Sequence, residues 1–378
     1  MTIPLSVLDL SPISAGSTPR QALRNTVDLA RHAEKLGYHR FWVAEHHFVR
    51  VASAAPTTLI GLIAAATDTI RVGSAAVQLG HHTSISVVEA FGTIDALHPG
   101  RLDLGLGRSG QRGEQLRSAG VPPVPAPPRP TEVRDGVVLP PPFYPGQLLD
   151  FTRVKAALET LHLPGSRPLP YTEQVEEILA LLDGSFVTTD GVELHAVPGE
   201  GADVQPWLFG SSGGESAQLA GRFGLPFAAN YHVSPGTIVE TVEAYRAAFR
   251  PSARFPRPYL VVSADVLVAE DDATARHLAS SYGHWVYSIR SGAGAADYLD
   301  PDTVPALSGP QQRLVDDRVT TQLVGSPATV AERLDALRKL TGADEILVTS
   351  VAFDHEDRVR SHRLLAREWG LTPQARAA

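Results

Sequence analysis

Phe41-Trp-Val-Ala-Glu45-His46-His47-Phe48 is an apolar, β-prone run that ends abruptly in a carboxylate and two imidazoles. A near-continuous hydrophobic run marks a strand buried in a parallel sheet. Polar residues at the carboxyl end of such a strand stand where α/β barrels and open α/β sheets place their chemistry. The layout recurs. Ile70–Val77 is followed by Gln78, His81 and His82; Arg101–Gly107 by Arg108 and Ser109; Trp207–Gly210 by Ser211, Ser212, Gly213 and Gly214. Four strands that deliver polar, glycine-rich tips in one direction predict an active-site rim.

Working outward, strands are expected at residues 3–10, 40–44, 70–77, 101–107, 207–210, 225–229, 260–267 and 345–351. Helices are expected at 20–36, 57–66, 84–97, 171–182, 214–223, 235–249, 271–286 and 328–340. Thr18-Pro19 supplies a cap and a first-turn proline for the first helix, and Gly37 a stop. Strict alternation of β and α implies parallel strands with right-handed crossovers. An eight-stranded α/β (TIM) barrel fits better than an open sheet, whose edge strands would be bare. Residues 1–378 read as one barrel domain interrupted at 111–170. That insertion holds Val121-Pro-Pro-Val-Pro-Ala-Pro-Pro-Arg-Pro130 and Leu139-Pro-Pro-Pro-Phe-Tyr-Pro-Gly146, polyproline-like and loop-forming. It reads as a lid or a linker, and Phe143, Tyr144 and Phe151 carry more apolar surface than a linker needs.

The net charge of −8 argues against a nucleic-acid or anionic-membrane partner. The absence of cysteine excludes disulfides, thiolate nucleophiles and zinc–thiolate centres. Met1-Thr-Ile-Pro4 lacks the basic start and apolar core of a signal peptide, and no apolar run approaches a membrane span, so a cytoplasmic protein is expected.

Gly105-Leu-Gly107-Arg-Ser-Gly110 spells a dinucleotide fingerprint, but the proline-rich continuation lacks the helix that a Rossmann site requires. The better reading is a backbone that approaches a ligand closely while Arg108 offers its guanidinium to a phosphate, against a tight turn with a solvated arginine. Gly210-Ser-Ser-Gly-Gly-Glu-Ser216, between a strand and a helix, reads as an anion loop or as ordinary capping by Ser211 or Ser212. Convergence with Arg108 favours phosphate. His46-His47 and His81-His82 do not make a metal centre, because adjacent residues on extended backbone point apart and no acidic residue accompanies the second pair in sequence. A lone His46 at a strand end is a candidate acid–base group with an ordinary pKa near 6.5; structural hydrogen bonding is the alternative for His47, His81 and His82.

Taken together, Ser6–Pro12, Trp42–Phe48, Val72–Val77, Glu89–Arg108 and Leu208–Gly213 resemble the bacterial luciferase-like flavin monooxygenases, in family order. The resemblance implies an eight-stranded α/β barrel, a homodimer, and reduced FMN supplied by a separate reductase. It also implies His46 as the histidine that supports the oxygen chemistry, Ala75-Ala76 as a non-prolyl cis peptide under the flavin ring, Arg108 on the FMN phosphate, and Ser212, Gly213 and Ser216 in a second phosphate loop. The implied reaction uses dioxygen to oxygenate a small organic substrate. A deazaflavin-dependent dehydrogenase and a non-catalytic flavin-binding barrel remain as alternatives. The dimer is expected on the helices of the first four β/α units, because helix 84–97 carries Ile85, Val88, Phe91, Gly92 and Ile94.

Overall fold

In the computed structural model the chain is described at residues 3–108, 129–143, 151–163, 165–166, 168–292 and 294–373. Strand β1 (Leu5–Asp9) leads into helix α1 (Pro19–Leu36), where Thr18 Oγ1 accepts from the Gln21 N–H and Gly37 ends the helix at φ 86°. The next units are β2 (Arg40–Val43) with α2 (Pro56–Ala66), and β3 (Arg71–Ser74), whose run resumes as the short β4 (Val77–Gln78) before α3 (Ser84–Leu97). Strand β5 (Leu102–Gly107) closes the first half.

A hairpin of β6 (Glu132–Arg134) and β7 (Val137–Leu139) and helix α4 (Phe151–Leu161) precede α5 (Tyr171–Asp183). The second half runs β8 (Val204–Gly210), α6 (Glu215–Arg222), β9 (Phe227–Ala229), α7 (Ile238–Ala248) and β10 (Leu260–Val268). It continues through α8 (Asp272–Leu278), α9 (Tyr282–Arg290), α10 (Gly309–Thr321), β11 (Leu323–Gly325), α11 (Pro327–Thr341), β12 (Glu345–Thr349) and α12 (His355–Trp369).

Strands β1, β2, β3, β5, β8, β9, β10 and β12 pair in that order, all parallel, and β12 returns to β1 with Leu5 opposite Ile346. The fold is an eight-stranded α/β barrel. Its interior is layered. At the amino-terminal end Arg40 pairs with Asp103 at 2.8 Å and with Glu345 at 3.2 Å, and the indole N–H groups of Trp42 and Trp207 both donate to Asp103. Above this plug lie Leu8, Trp42, Trp207, Val261 and Leu347. The packed interior leaves only the carboxyl-terminal mouth for chemistry.

Three expectations are corrected. The insertion is not all loop: Asp135 and Gly136, with φ 50° and 82°, turn the β6–β7 hairpin in the two-residue geometry such pairs favour. Tyr231 Oη donates to the Val138 carbonyl at 2.8 Å and docks the hairpin on the barrel; Tyr144 lies outside the described residues. The expected helix 271–286 is two helices, α8 and α9, and the break lets the Tyr282 hydroxyl donate to Asp265. On α3 most of the apolar face is covered by the chain itself, and Ile85 stays exposed. Val88, Phe91 and Gly92 are buried, and a Cβ on Gly92 would lie 2.4 Å from Gly199 Cα.

Candidate functional site

A cavity of about 380 Å³ opens where the carboxyl ends of the barrel strands converge. His46, Ala75, Ala76, Arg108, Ser212 and Ser216 all line it. Gly213 does not; it sits behind the loop, where a Cβ would meet Ala244 and the Glu240 carbonyl at 3.1 Å.

His46 follows β2, and its Nδ1 is buried with no hydrogen-bond partner among the described residues. Burial pushes its pKa down to about 4, against a smaller upward pull from Glu45. The imidazole is therefore neutral at neutral pH, which corrects the ordinary value expected from sequence. His47 turns away, donating to Glu45 Oε1 at 2.8 Å, and His82 donates to the same oxygen at 2.7 Å. So an acidic residue does accompany His81-His82, brought from the preceding strand end. The Gln78 N–H donates to Glu45 Oε2 at 2.8 Å. Burial opposes ionisation of Glu45, but His82, the Gln78 amide and His47 outweigh it and hold the carboxyl below its usual range. His81 packs against His162, and burial lowers its pKa to about 4.

The Ala75–Ala76 peptide is cis. It packs against β5, where glycine is a steric requirement: a Cβ on Gly105 would lie 2.0 Å from the Ser74 carbonyl oxygen, and one on Gly107 3.0 Å from Ala76 Cβ. The glycine pattern thus serves close strand packing beside a cavity wall.

At the other end, Arg108 Nη1 donates to Glu215 Oε2 at 2.6 Å, and Thr172 Oγ1 to Glu215 Oε1 at 3.1 Å. The N-cap of α6 is Gly214, and no side chain caps the helix. Ser211 Oγ instead accepts from Asn230 Nδ2 at 3.3 Å. The capping role open to Ser211 and Ser212 is unused, and first-turn amides of α6 remain for a ligand.

Sequence reading missed Asn230, His232, Asp265, Trp285 and Arg318, all in the cavity wall. Burial lowers the His232 pKa to about 4, and its Nδ1 is hydrogen-bonded to Ser263 Oγ at 2.5 Å. Asp265 had a signal: with Ser263 it is a polar residue at alternate positions of an otherwise apolar strand, hence inward-facing. Arg318 had none.

The donor set fits a flavin nucleotide. Arg108, Ser212, Ser216 and the α6 amides suit a phosphate, while Ala75, Ala76, Leu8 and Phe209 offer an apolar bed for a ring system.

The luciferase-like monooxygenase family profile matches residues 3–135 and 164–345. The uncharacterised protein YvbT of Bacillus subtilis is 38% identical over 97% of this chain and 96% of its own. A luciferase-like monooxygenase of Escherichia coli K12 is 34% identical over 96% of each. The crystal structure of apo-MsnO8 is 32% identical, covers 99% of each chain and superposes with a TM-score of 0.75. Two more distant structures share the fold alone: the oxygenating constituent of 3,6-diketocamphane monooxygenase from Pseudomonas putida with FMN (18%, TM-score 0.64), and an F420-dependent secondary alcohol dehydrogenase with an F420–acetone adduct (14%, TM-score 0.62). With a profile match over most of its length and relatives of more than 30% identity along nearly the whole chain, the chain belongs to the luciferase-like monooxygenase family.

Proposed function

We propose that this enzyme receives reduced FMN from a separate flavin reductase and uses it with dioxygen to oxygenate a small organic molecule. The observation that carries the reading is a single cavity with a phosphate-compatible end at Arg108, Ser212 and Ser216 and an apolar end at Ala75 and Ala76, with His46 beside it. Bound reduced flavin supplies the electrons with which dioxygen is activated. Arg108 and the α6 amides would hold the phosphate, and Ala75–Ala76 would support the ring. The neutral His46 would donate or accept one hydrogen bond at the reacting oxygen, and the enclosing apolar residues exclude water.

The chain is read as one barrel domain with a variable proline-rich insertion at 111–170. We read the enzyme as a homodimer. The apolar side chains left exposed on the first β/α units, Leu23, Leu62, Ile85 and Leu97, support that reading, and the buried Val88, Phe91 and Gly92 of α3 do not.

The test is anaerobic titration with photoreduced FMN, oxidised FMN, riboflavin and F420, followed by dioxygen uptake. Preference for reduced FMN over riboflavin, with dioxygen consumed, is expected. Preference for F420 without dioxygen uptake would replace this reading with a dehydrogenase. Light scattering checks the dimer.

A further inference from the structure

The cavity wall opposite Ala75 and Ala76 carries polar groups that the flavin reading does not use. Strand β10 stands four strands from β3 in the eight-strand circuit, so its end lies diametrically across the mouth. Asp265 enters the cavity from β10, Arg318 reaches the same wall from α10, and His232 follows β9. Arg318 is 8% exposed and Asp265 4%. Arg318 Nη2 donates to Asp265 Oδ2 at 3.0 Å and to Tyr282 Oη at 2.9 Å, while the Tyr282 hydroxyl donates to that same Oδ2.

Both arginine contacts use one nitrogen. Arg318 Nε is enclosed by protein without a partner, so the nitrogen left for a ligand is Nη1, which makes no hydrogen bond among the described residues. A guanidinium has five N–H groups, so most of its donor capacity is unspent. An ion pair that only braced α10 on the barrel would be expected to satisfy its buried donors, because each unpaired one is costly. A buried cation with surplus donors on a cavity wall is instead provisioned for an acceptor brought by a ligand. Leu10, Trp285 and Ile289 line the cavity as well. A body of low polarity with one strongly accepting end suits these surroundings.

We propose that Arg318 is a substrate-specificity residue that takes the carboxylate of a small, otherwise apolar organic acid, with Asp265 and Tyr282 as the residues that position its guanidinium. Charge-assisted bonds to a carboxylate are the strongest use of such donors. This rests on reading the cavity as the monooxygenase site, with the flavin on the Ala75–Ala76 side.

The full-length, flavin-free protein would be titrated calorimetrically with hexanoate, hexanamide and hexanol, which differ only at the head group. Hexanoate is expected to bind at least tenfold more tightly than the other two. Arg318→Gln should abolish that preference while leaving reduced-FMN affinity within threefold, and Arg108→Ala should leave the preference intact. If Arg318→Gln does not fold, Asp265→Asn serves, since loss of the negative partner should raise the hexanoate preference threefold or more. Equal binding of the three probes, a preference that survives in Arg318→Gln, one lost in Arg108→Ala, or one unmoved in Asp265→Asn would overturn the assignment. Failure of reduced FMN to bind, with the hexanoate results as expected, would instead remove the flavin reading.

Discussion

Arg108 and Glu215 form an ion pair with Nη1 2.6 Å from Oε2, joining the end of β5 to the first residue of α6. The two residues come from neighbouring strand–helix junctions, since β5 pairs with β8 along five residue positions. A phosphate at the α6 amino terminus would compete with Glu215 for the guanidinium. Both side chains are partly solvated, at 22% and 31% exposure, so the pair itself is worth little and can open.

A pair of substitutions separates the two charges. Charge-assisted hydrogen bonds are worth about 1.5–3 kcal/mol, so Arg108→Ala should weaken reduced FMN about tenfold or more and leave riboflavin unchanged. Glu215→Gln should bind reduced FMN at least as tightly as the wild type. Fluorescence titration under anaerobic conditions reads both, and tighter binding of riboflavin than FMN by the wild type would remove the phosphate assignment.

For His46, the buried and neutral imidazole changes the expected pH behaviour. Its pKa of about 4 means that its protonation state is constant from pH 5.5 to 8. His46→Ala should keep reduced-FMN affinity within a few-fold and lower product per reduced flavin roughly 100- to 10,000-fold, with hydrogen peroxide released instead. His47→Ala should do much less, because that ring serves Glu45. A wild-type yield curve with a midpoint near pH 6.5 that vanishes in His46→Ala would show a titrating acid–base group instead.

Much of the barrel was legible because each strand is a local object: an apolar run closed by polar or glycine residues, as in Phe41–His47 and Arg101–Arg108. The same locality exposed His46, Arg108 and the Gly210–Ser216 loop, since a barrel puts every strand tip on one rim, whereas Ala75-Ala76 was indicated only by the family resemblance. Asp135-Gly136 was a hairpin signal that the surrounding prolines masked. What stayed hidden depends on tertiary placement. Arg318 sits in a polar helix and reaches the cavity only because α10 folds over the mouth. The His82–Glu45 bond joins residues that no sequence pattern relates. The pKa of His46 is likewise set by burial, which its neighbours in sequence do not reveal.

Stability should fall in mild acid. Burial drives the pKa values of His46 and His232 to about 4 and that of His362 to about 3, all below the ordinary 6.5. The unfolded chain then binds more protons than the folded one between roughly pH 6.5 and 3–4, so stability rises with pH through that window. Each group contributes a slope of up to about 1.4 kcal/mol per pH unit. His362 lies away from the cavity, with neither ring nitrogen hydrogen-bonded among the described residues, so His362→Gln tests one contribution without touching the site. Urea midpoints at pH 7 and pH 5 should differ less in that variant than in the wild type. An equal difference would show that His362 stays accessible to protons.

Gly105 gives a sharp steric test. A Cβ there would lie 2.0 Å from the Ser74 carbonyl oxygen and 2.5 Å from a Phe209 ring carbon, and the first of these is backbone that cannot move aside. Gly105→Ala should destabilise by about 1–3 kcal/mol or more through overpacking and displace Phe209 from the cavity wall. Gly16, where a Cβ would meet nothing within 4 Å, has φ 80°, so Gly16→Ala should cost only the backbone term. Thermal unfolding of the two variants should rank Gly105→Ala well below Gly16→Ala; the reverse order would mean that β3 and β5 are not in the close register seen here.

Glu45 is the joint between the catalytic candidate and the histidine pair behind it. Its carboxylate accepts from His47, His82 and the Gln78 N–H, and Gln78 Nε2 donates back to the Glu45 carbonyl oxygen at 2.5 Å. Glu45→Gln keeps the shape but places an amide donor against donors, so one buried group loses its partner at a cost of about 1–3 kcal/mol. The sign of the pH dependence follows from the lowered carboxyl pKa. A depressed carboxyl contributes stability that is present above its unfolded value of about 4.5 and is lost as pH falls through the folded value. The stability gap between wild type and Glu45→Gln should therefore be full at pH 7 and shrink below pH 4.5. Because Glu45 adjoins His46, the variant should also lower the coupled yield while reduced FMN still binds. A gap that stays constant down to pH 3.5 would show that Glu45 is not the ionised acceptor of the three N–H groups around it.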